Sequence, residues 1–349
     1  TLGDVLDSTG QSAVGTDGLF KGEEGELGAA HSEWSNIADG KTIRSGGTGG
    51  EITNINQRTI YTELDAASAL SAGTLDADGF KMNSTNFKSI LAPDLTHIHN
   101  AVCPTDPTDL SANSDCEKRL LWMLGTDIQD EDGDSDLAEL RWWFPDVLHS
   151  SPIAVTYGID EKGTPLDPSD DVFIDKILVG TNDGGLHMIN GTSDNTFGGL
   201  EEWVFIPNAD LAKQPALYDN NTGGHTYGLD TTPLVRFIDR NNNGKIEPNA
   251  DPTLSDQVYV YIAQRRGGNA IYALDVTPAV ELTSVGTKVP PKFLWSKTLS
   301  AQSWSEPTLA KIQTIDGAGD PVIKDVLVFG GGYDEDLDAN FGLDAGAPN

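Results

Sequence analysis

From Ser150 onward, apolar and polar residues alternate over short runs, and the same succession of runs comes three times. The first unit opens Ser150-Ser151-Pro152 with an apolar run. It crosses an acidic loop to Lys176-Ile-Leu-Val-Gly180, continues through Asn182-Asp-Gly-Gly185 to Leu186-His-Met-Ile-Asn190, and ends Glu202-Trp203-Val-Phe-Ile-Pro207. The second opens Thr231-Thr232-Pro233, crosses Asp239 to Glu247, and runs through Val258-Tyr-Val-Tyr-Ile-Ala263 and Ile271-Tyr-Ala-Leu-Asp275 to Phe293-Leu-Trp295. The third opens Ser305-Glu306-Pro307, crosses Asp316 to Asp320 and reaches Val326-Leu-Val-Phe-Gly-Gly331. Pro152, Pro233 and Pro307 lie 81 and 74 residues apart. Period-two alternation rich in β-branched and aromatic residues, bounded by Gly, Pro and Asp, predicts strands.

Four such runs per unit are what one blade of a β-propeller needs. The expected fold is therefore all-β: a modified β-propeller of four-stranded, quinoprotein-like blades with extra length in loops. Residues 141–349 would hold about two and a half blades with acidic insert loops. That number cannot close a ring and hide its sheet edges, so the expected propeller is incomplete in this chain. Residues 1–140 read as an irregular leader. Within it, Gly46-Gly-Thr-Gly-Gly50 reads as a flexible connection and Arg58-Thr-Ile-Tyr-Thr62 as a strand. Helices are expected over 84–92 and 114–124. The second opens on the capping box Ser114-x-x-Glu117, stops before Gly125, and has an apolar face of Leu120, Leu121, Met123 and Leu124.

Charge narrows the partners. Against 22 basic residues stand 54 acidic ones, a net charge of −32. Such a surface repels nucleic acid and anionic membranes and attracts divalent cations. It suits a saline or calcium-containing exterior, where screening relieves the self-repulsion. No apolar run is long enough to span a bilayer, so membrane insertion is not expected. The two cysteines, Cys103 and Cys116, share one loop-like stretch with no CxxC or Cys/His cluster nearby. A disulfide is expected between them, worth ~3 kcal/mol by chain entropy; two free thiols are the alternative.

The acidic loop of the second unit carries the strongest chemistry. In Asp239-Arg-Asn241-Asn-Asn243-Gly244-Lys245-Ile-Glu247, side-chain oxygens stand at positions 1, 3, 5 and 9. Glycine stands at 6, and position 7 can offer its backbone carbonyl. Hard oxygens at every second residue with a glycine at the reversal are the spacing with which an EF-hand-type loop wraps Ca2+. The usual glutamate at position 12 is replaced by Ala250, so coordination would close at Glu247, with Asp251 as a further candidate. Neutral Asn at positions 3 and 5 implies weak affinity, roughly 0.1–1 mM. An acidic hairpin tip using Asn-Gly turn chemistry without metal is the competing reading. A second, weaker metal candidate is Asp130, Asp132, Asp134 and Asp136, whose glycine falls at position 4; a solvated loop is the plainer account. Asp334-Glu-Asp336-Leu-Asp338 lacks a glycine and reads as solvated loop.

Catalytic constellations are sparse. No GxSxG occurs, and His149-Ser150-Ser151 reads as a strand start. His97 and His99 would share one strand face as a surface pair without a third ligand. His187 reads as a satisfied core or turn histidine, and Trp203 and Trp295 as equivalent blade-packing residues.

Several segments together resemble the C-terminal propeller of the PilC/PilY family, the tip-associated proteins of bacterial type IV pili. They are His149-Ser-Ser-Pro152, Val179-Gly-Thr-Asn-Asp-Gly-Gly-Leu-His187, Trp203-Val-Phe-Ile-Pro207, Gly268-Asn-Ala-Ile-Tyr-Ala-Leu-Asp-Val-Thr277, Ser305-Glu-Pro-Thr-Leu-Ala310 and Phe329-Gly-Gly-Gly-Tyr333. The resemblance is dense from about 141 to 333 and sparse before. It implies export to the cell surface and the pilus tip, pilins or minor pilins as partners, and contact with a host or abiotic surface. It also implies roles in pilus assembly, adhesion and calcium-dependent control of retraction. The family's nine-residue calcium loop has ligands at positions 1, 3, 5, 7 and 9, onto which Asp239, Asn241, Asn243, Lys245 and Glu247 fall. Asn and Glu stand where the family often has Asp. The family's DxSxS adhesive-domain motif has no counterpart here. A non-enzymatic calcium-binding surface module is thus the leading expectation. A quinoprotein-type dehydrogenase and a generic extracellular scaffold are the alternatives; the first usually needs vicinal cysteines, and Cys103 and Cys116 are 13 apart.

Overall fold

The structure is a computed structural model that describes residues 5–35, 38–42, 46–63, 81–85, 87–88, 93–141, 144–164, 167–193, 196–220 and 224–334. It is mostly β. The strands of the first unit are β3 (Ile153–Asp160), β4 (Val172–Gly180), β5 (Leu186–Asn190) and β6 (Glu201–Phe205), each antiparallel to the next. The second unit repeats this meander with β7 (Leu234–Ile238), β8 (Gln257–Ala263), β9 (Ala270–Asp275) and β10 (Lys292–Thr298). The third gives a hairpin, β11 (Thr308–Ile315) and β12 (Pro321–Val328), turning at Asp316, whose carboxylate accepts the N–H groups of Ala318 and Asp320. Every run expected as a strand from Ile153 to Val328 forms one; β3 to β6, β8 and β9 have a core to face, whereas β10, β11 and β12 have no buried residue. Among the described residues the strands form separate sheets and do not close a ring.

The leader enters the first sheet. Two short strands, β1 (Ile60–Tyr61) and β2 (Lys81–Met82), extend it to the order β2-β1-β6-β5-β4-β3, with β1 parallel to β6. The strand expected over 58–62 is therefore present, as its two central residues. The glycine run expected as a connection instead forms a short helix, α1 (Gly47–Glu51). The helix expected over 84–92 is not seen where that span is described: 84–85 and 87–88 form a turn after β2, and 86 and 89–92 lie outside the described residues. A helix does follow, α2 (Pro93–Val102), and then α3 (Asp115–Leu124). Ser114 caps α3 by accepting the N–H of Glu117 at 3.1 Å, while the Glu117 carboxylate reaches back to the N–H of Asn113 rather than of Ser114. Gly125 ends the helix with φ of 105°, a left-handed conformation that glycine adopts without steric cost. Leu120, Met123 and Leu124 are buried as expected; Leu121 is half-buried, and Cys116 and Trp122 take its place in the interior.

Two apolar cores result. Tyr157, Leu178, Met188, Trp203 and Phe205 of the first sheet pack against Val258, Val260, Ile262, Tyr272 and Leu274 of the second. On the opposite side, Ile60, Val204 and Ile206 pack against Ile98, Val102, Leu120 and Met123 from α2 and α3. The Cys103–Cys116 disulfide joins the end of α2 to the start of α3 inside this second core. Strands β5 and β6 are thus covered on both faces, which accounts for their uninterrupted burial.

The register of β6 slips at Glu202, the extra residue between the pairs Met188–Trp203 and Ile189–Glu201. Such a bulge re-aims neighbouring side chains. Glu201 and Glu202, both buried, consequently serve separate ion pairs: Glu201 with Arg58 and His187, Glu202 with Lys176. Trp203 donates its indole N–H to the Val289 carbonyl at 2.7 Å. Trp295, its counterpart on β10, is 38% exposed and lies against Tyr261; the pair share a strand position but not an environment.

Candidate functional site: the loop between β7 and β8

Asp239 to Glu247 form the first half of the long connection from β7 to β8. The loop is wound by its own side chains. Asp239 Oδ2 accepts the N–H of Gly244 at 2.8 Å, Asn241 Oδ1 that of Asn243 at 3.0 Å, and Asn243 Oδ1 that of Lys245 at 2.9 Å. These 1-to-6, 3-to-5 and 5-to-7 bonds wind the loop on itself. Glu247 closes the circle: its Oε2 accepts the side-chain amide N–H of Asn241 at 2.5 Å and of Asn243 at 2.9 Å. Asn242 and Gly244 take left-handed φ values of 57° and 78°, which the reversal needs.

Two anchors hold this coil on the protein. Ile246 is fully buried and donates its N–H to the Tyr157 carbonyl of β3 at 2.8 Å. Asp256, just before β8 and 2% exposed, accepts the N–H of Arg240 at 2.8 Å and of Glu247 at 3.0 Å. The Lys245 ammonium lies 3.6 Å from Glu161 and 3.9 Å from Glu281, so its side chain is engaged with the neighbouring loops and only its carbonyl is left for a cation. The donor set of Asp239, Asn241, Asn243 and Glu247 with the Lys245 carbonyl is all hard oxygen, the chemistry that suits Ca2+. Asp251, the further candidate, is not brought in: its carboxylate accepts the N–H and hydroxyl of Thr253 within its own turn.

The weaker candidate behaves better than its glycine suggests. Asp130 Oδ1 accepts the N–H of Ser135, Asp132 Oδ1 that of Asp134, and Asp134 Oδ1 that of Asp136, the same 1-to-6, 3-to-5 and 5-to-7 pattern. Ser135 supplies the left-handed residue at position 6, with φ of 75°. One oxygen from each of Asp130, Asp132 and Asp134 falls within a common 4.8 Å, close enough to share a metal ion, and Asp127, Asp132 and Glu139 form a second such group. Asp136 joins neither and caps the N–H of Ala138 instead. Burial, then the Asp134, Asp132, Asp136 and Asp127 carboxylates, raise the Glu139 carboxyl above its ordinary range.

The histidines fall elsewhere. His97 and His99 lie on α2 rather than on a strand, with His97 bonded to Asn208 and His99 to the Phe87 carbonyl; Pro93, a good first helical residue, is the signal that favours a helix there. His187 is fully buried, its Nδ1 2.8 Å from Glu201 and its Nε2 3.1 Å from Thr181 and 3.7 Å from Asp183. His149 meets Asp230 at 2.7 Å. Asp336 and Asp338 of the last acidic run lie outside the described residues.

No family model matches the chain, and no curated protein matches it. Among solved structures, the crystal structure of the Pseudomonas aeruginosa PilY1 C-terminal domain is similar at 24% sequence identity, over 46% of this chain and 25% of that one, with a TM-score of 0.26. The match thus spans a quarter of that structure's length. No helix among the described residues is long and apolar enough to cross a membrane.

Proposed function

We propose that this chain is a non-enzymatic, calcium-binding module of a cell-surface protein of the PilC/PilY type, acting at a type IV pilus tip or in pilus assembly, adhesion or retraction control. The observation that carries the reading is the 239–247 loop, which is wound by side-chain-to-backbone hydrogen bonds from positions 1, 3 and 5 and in which Glu247 at position 9 bonds to Asn241 and Asn243. The ordered segments that resemble the PilC/PilY propeller supply the context, and the two four-stranded meanders are read as blades of that propeller. The disulfide and the charge of −32 agree with an oxidising, cation-containing exterior. The partners proposed are pilins or minor pilins, and a host or abiotic surface where the tip makes contact.

Calcium would replace the amide N–H contacts of Glu247 with a shared cation and stiffen the β7–β8 connection. Titration of the protein with CaCl2 by calorimetry tests the binding, with Asp239→Ala expected to abolish the event that belongs to this loop. Gold labelling on intact piliated cells tests the place, with particles expected at pilus tips. Saturable binding lost in Asp239→Ala together with tip labelling supports the reading; labels spread over the cell body with bare pili would remove the pilus from it. A quinone absorbance in the purified protein would instead favour the dehydrogenase reading.

A further inference from the structure

A pocket of about 230 Å³ opens between α3, the segment 141–146, the turn at 182–183 and the short helix α5 (Gln214–Tyr218). Its wall is partly apolar, with Trp122, Pro145, Ala216 and Leu217, and carries charges of both signs, with Arg141, Asp146 and Asp183.

Arg141 is half-buried, and its guanidinium stacks 4.1 Å above the Trp122 ring while Nε donates to the Trp122 carbonyl at 3.2 Å. Among the described residues its two Nη groups make no hydrogen bond and no ion pair. In a chain with so large an acidic excess, a stacked and partly desolvated arginine without a carboxylate is unexpected, since burying a charge costs free energy unless it is paired. Burial lowers its pKa to about 10, against the opposing charges of Glu131, Asp183 and Asp127.

The acidic side of the pocket, among the described residues, keeps one open carboxylate oxygen on each of Asp146 and Asp183. Asp146 Oδ2 accepts the side-chain N–H of Asn182 at 2.7 Å and lies 3.5 Å from His225. Asp183 Oδ1 accepts from Thr181 and from the N–H of Gly185 and lies 3.7 Å from His187, whose charge it shares with Glu201. The other oxygen of each carboxylate makes no hydrogen bond among the described residues. Trp122 is itself buried, and its indole N–H has no acceptor; an orphaned buried donor of this kind calls for a partner. Opposite charges therefore line one small pocket without pairing with each other.

We propose that this pocket binds a free α-amino acid with a small apolar side chain. Its carboxylate would lie on the Arg141 guanidinium, its ammonium against Asp146 and Asp183, and its side chain against Trp122, Ala216 and Leu217. A simple anion would satisfy Arg141 but meet two carboxylates, and a simple cation would meet the guanidinium; a zwitterion satisfies both ends at once. The guanidinium fork suits a carboxylate in particular, since it can donate two parallel N–H bonds. The volume is below the range of about 300–1,000 Å³ usual for drug-sized ligands, which limits the occupant to one small molecule rather than a peptide segment.

Calorimetry on the whole chain with glycine, L-alanine, L-valine, L-leucine and L-methionine tests the proposal, using leucinamide and 4-methylpentanoate as probes that lack the carboxylate or the ammonium. At least one amino acid should bind saturably. Leucinamide and 4-methylpentanoate should each bind roughly tenfold or more weaker than L-leucine, the loss of one charged contact worth about 1.4 kcal/mol. Arg141→Gln should weaken the amino acid by a similar factor and no longer distinguish it from its amide. Because Arg141 also stacks on Trp122, Asp146→Asn serves as the second variant: Asp146 is 54% exposed, and asparagine keeps an acceptor for Asn182. It should weaken L-leucine but not 4-methylpentanoate. No heat with any of the five amino acids, equal binding of acid and amide, or an unchanged affinity in a folded Asp146→Asn protein would overturn the proposal. None of these readouts depends on calcium or on pili.

Discussion

Asp256 Oδ2 accepts the backbone N–H of Glu247 at 3.0 Å, and the other oxygen of the same carboxylate accepts that of Arg240 at 2.8 Å. One buried side chain outside the proposed ligand set thus ties together the second and ninth residues of the loop. Outer partners of this sort orient ligands without touching the ion. Asp256→Ala is expected to destabilise the fold by about 1–3 kcal/mol, through the two N–H groups it orphans. It should also weaken calcium binding roughly tenfold or more. Asp256→Asn, which keeps one acceptor, should do less of both. Calorimetric affinity beside thermal melting separates the two effects, and an unchanged affinity in a folded Asp256→Ala protein would show that the loop needs no such staple.

Gly244 offers a cleaner probe of backbone geometry. Its φ is 78°, and a Cβ added there would meet nothing within 4 Å. Gly244→Ala therefore introduces no clash and charges only the left-handed conformation, a cost of about 1–2 kcal/mol. Because the calcium-free loop already holds this φ, the expected result is a fold destabilised by that amount in thermal melting, with calcium affinity little changed, and Gly244→Asn is milder because asparagine tolerates left-handed backbone better. A calcium affinity that falls as well would mean that the free loop of the alanine variant relaxes out of the reversal and calcium must restore it.

Stability should depend on pH through His187. Burial alone would lower its pKa, but the hydrogen bonds and charges of Asp183 and Glu201 outweigh burial and raise it to about 9 from 6.5. The protonated ring therefore favours the folded state. That contribution is complete below about pH 6.5 and disappears as pH rises through about 9. Glu63, whose burial raises its carboxyl to about 7 from 4.5, acts with the same sign over a lower window: its contribution is complete below 4.5 and is lost as pH rises through 7. The melting temperature of the wild type should thus fall between pH 6.5 and 9.5. His187→Gln should melt lower throughout and lose most of that slope, and a variant with the wild-type slope would assign the pH dependence to other groups.

The disulfide makes a separate contribution. Cys103 and Cys116 are 13 residues apart and both lie in the core beneath α2 and α3. Reduction, or the Cys103→Ser/Cys116→Ser double variant, frees a loop of that length in the unfolded chain and should cost ~3 kcal/mol. Thermal melts with and without a phosphine reductant measure it. The β7–β8 loop belongs to the other side of the first sheet, so calcium affinity should be unaffected by reduction.

The strands of the three units were legible because their alternation is local; in β8, Val258, Val260 and Ile262 point inward while Tyr259 and Tyr261 do not, whereas the β11–β12 hairpin forms by local pairing with no buried residue. The β7–β8 loop was legible for a similar reason, since all of its oxygens come from nine consecutive residues. What depended on distant partners was not. Ile60 and Tyr61 join β6 in parallel from more than a hundred residues away, and only two residues carry the pairing. The buried Arg58–Glu201 pair depends on that docking and on the bulge at Glu202. Ser135 adopts a conformation more typical of glycine, so no glycine rule could place it. The pocket beside Arg141 is assembled from five separate stretches of chain, none of which carries a motif.

The count of cation sites gives the last test. Asp132 belongs to both acidic groups of the loop after α3, whereas Asp130 and Asp134 belong to one and Asp127 and Glu139 to the other. These five carboxylates repel one another, and a divalent cation would relieve that repulsion. If the loop binds calcium as the β7–β8 loop is proposed to, titration should show two events. Asp132→Asn should remove one and leave the other, while Asp239→Ala should do the converse. Glu139 provides an independent reading: its raised carboxyl should move back toward its ordinary range when calcium neutralises its neighbours, followed by NMR titration of its side chain with and without CaCl2. A single binding event lost only in Asp239→Ala, with Glu139 indifferent to calcium, would leave the loop after α3 a solvated turn.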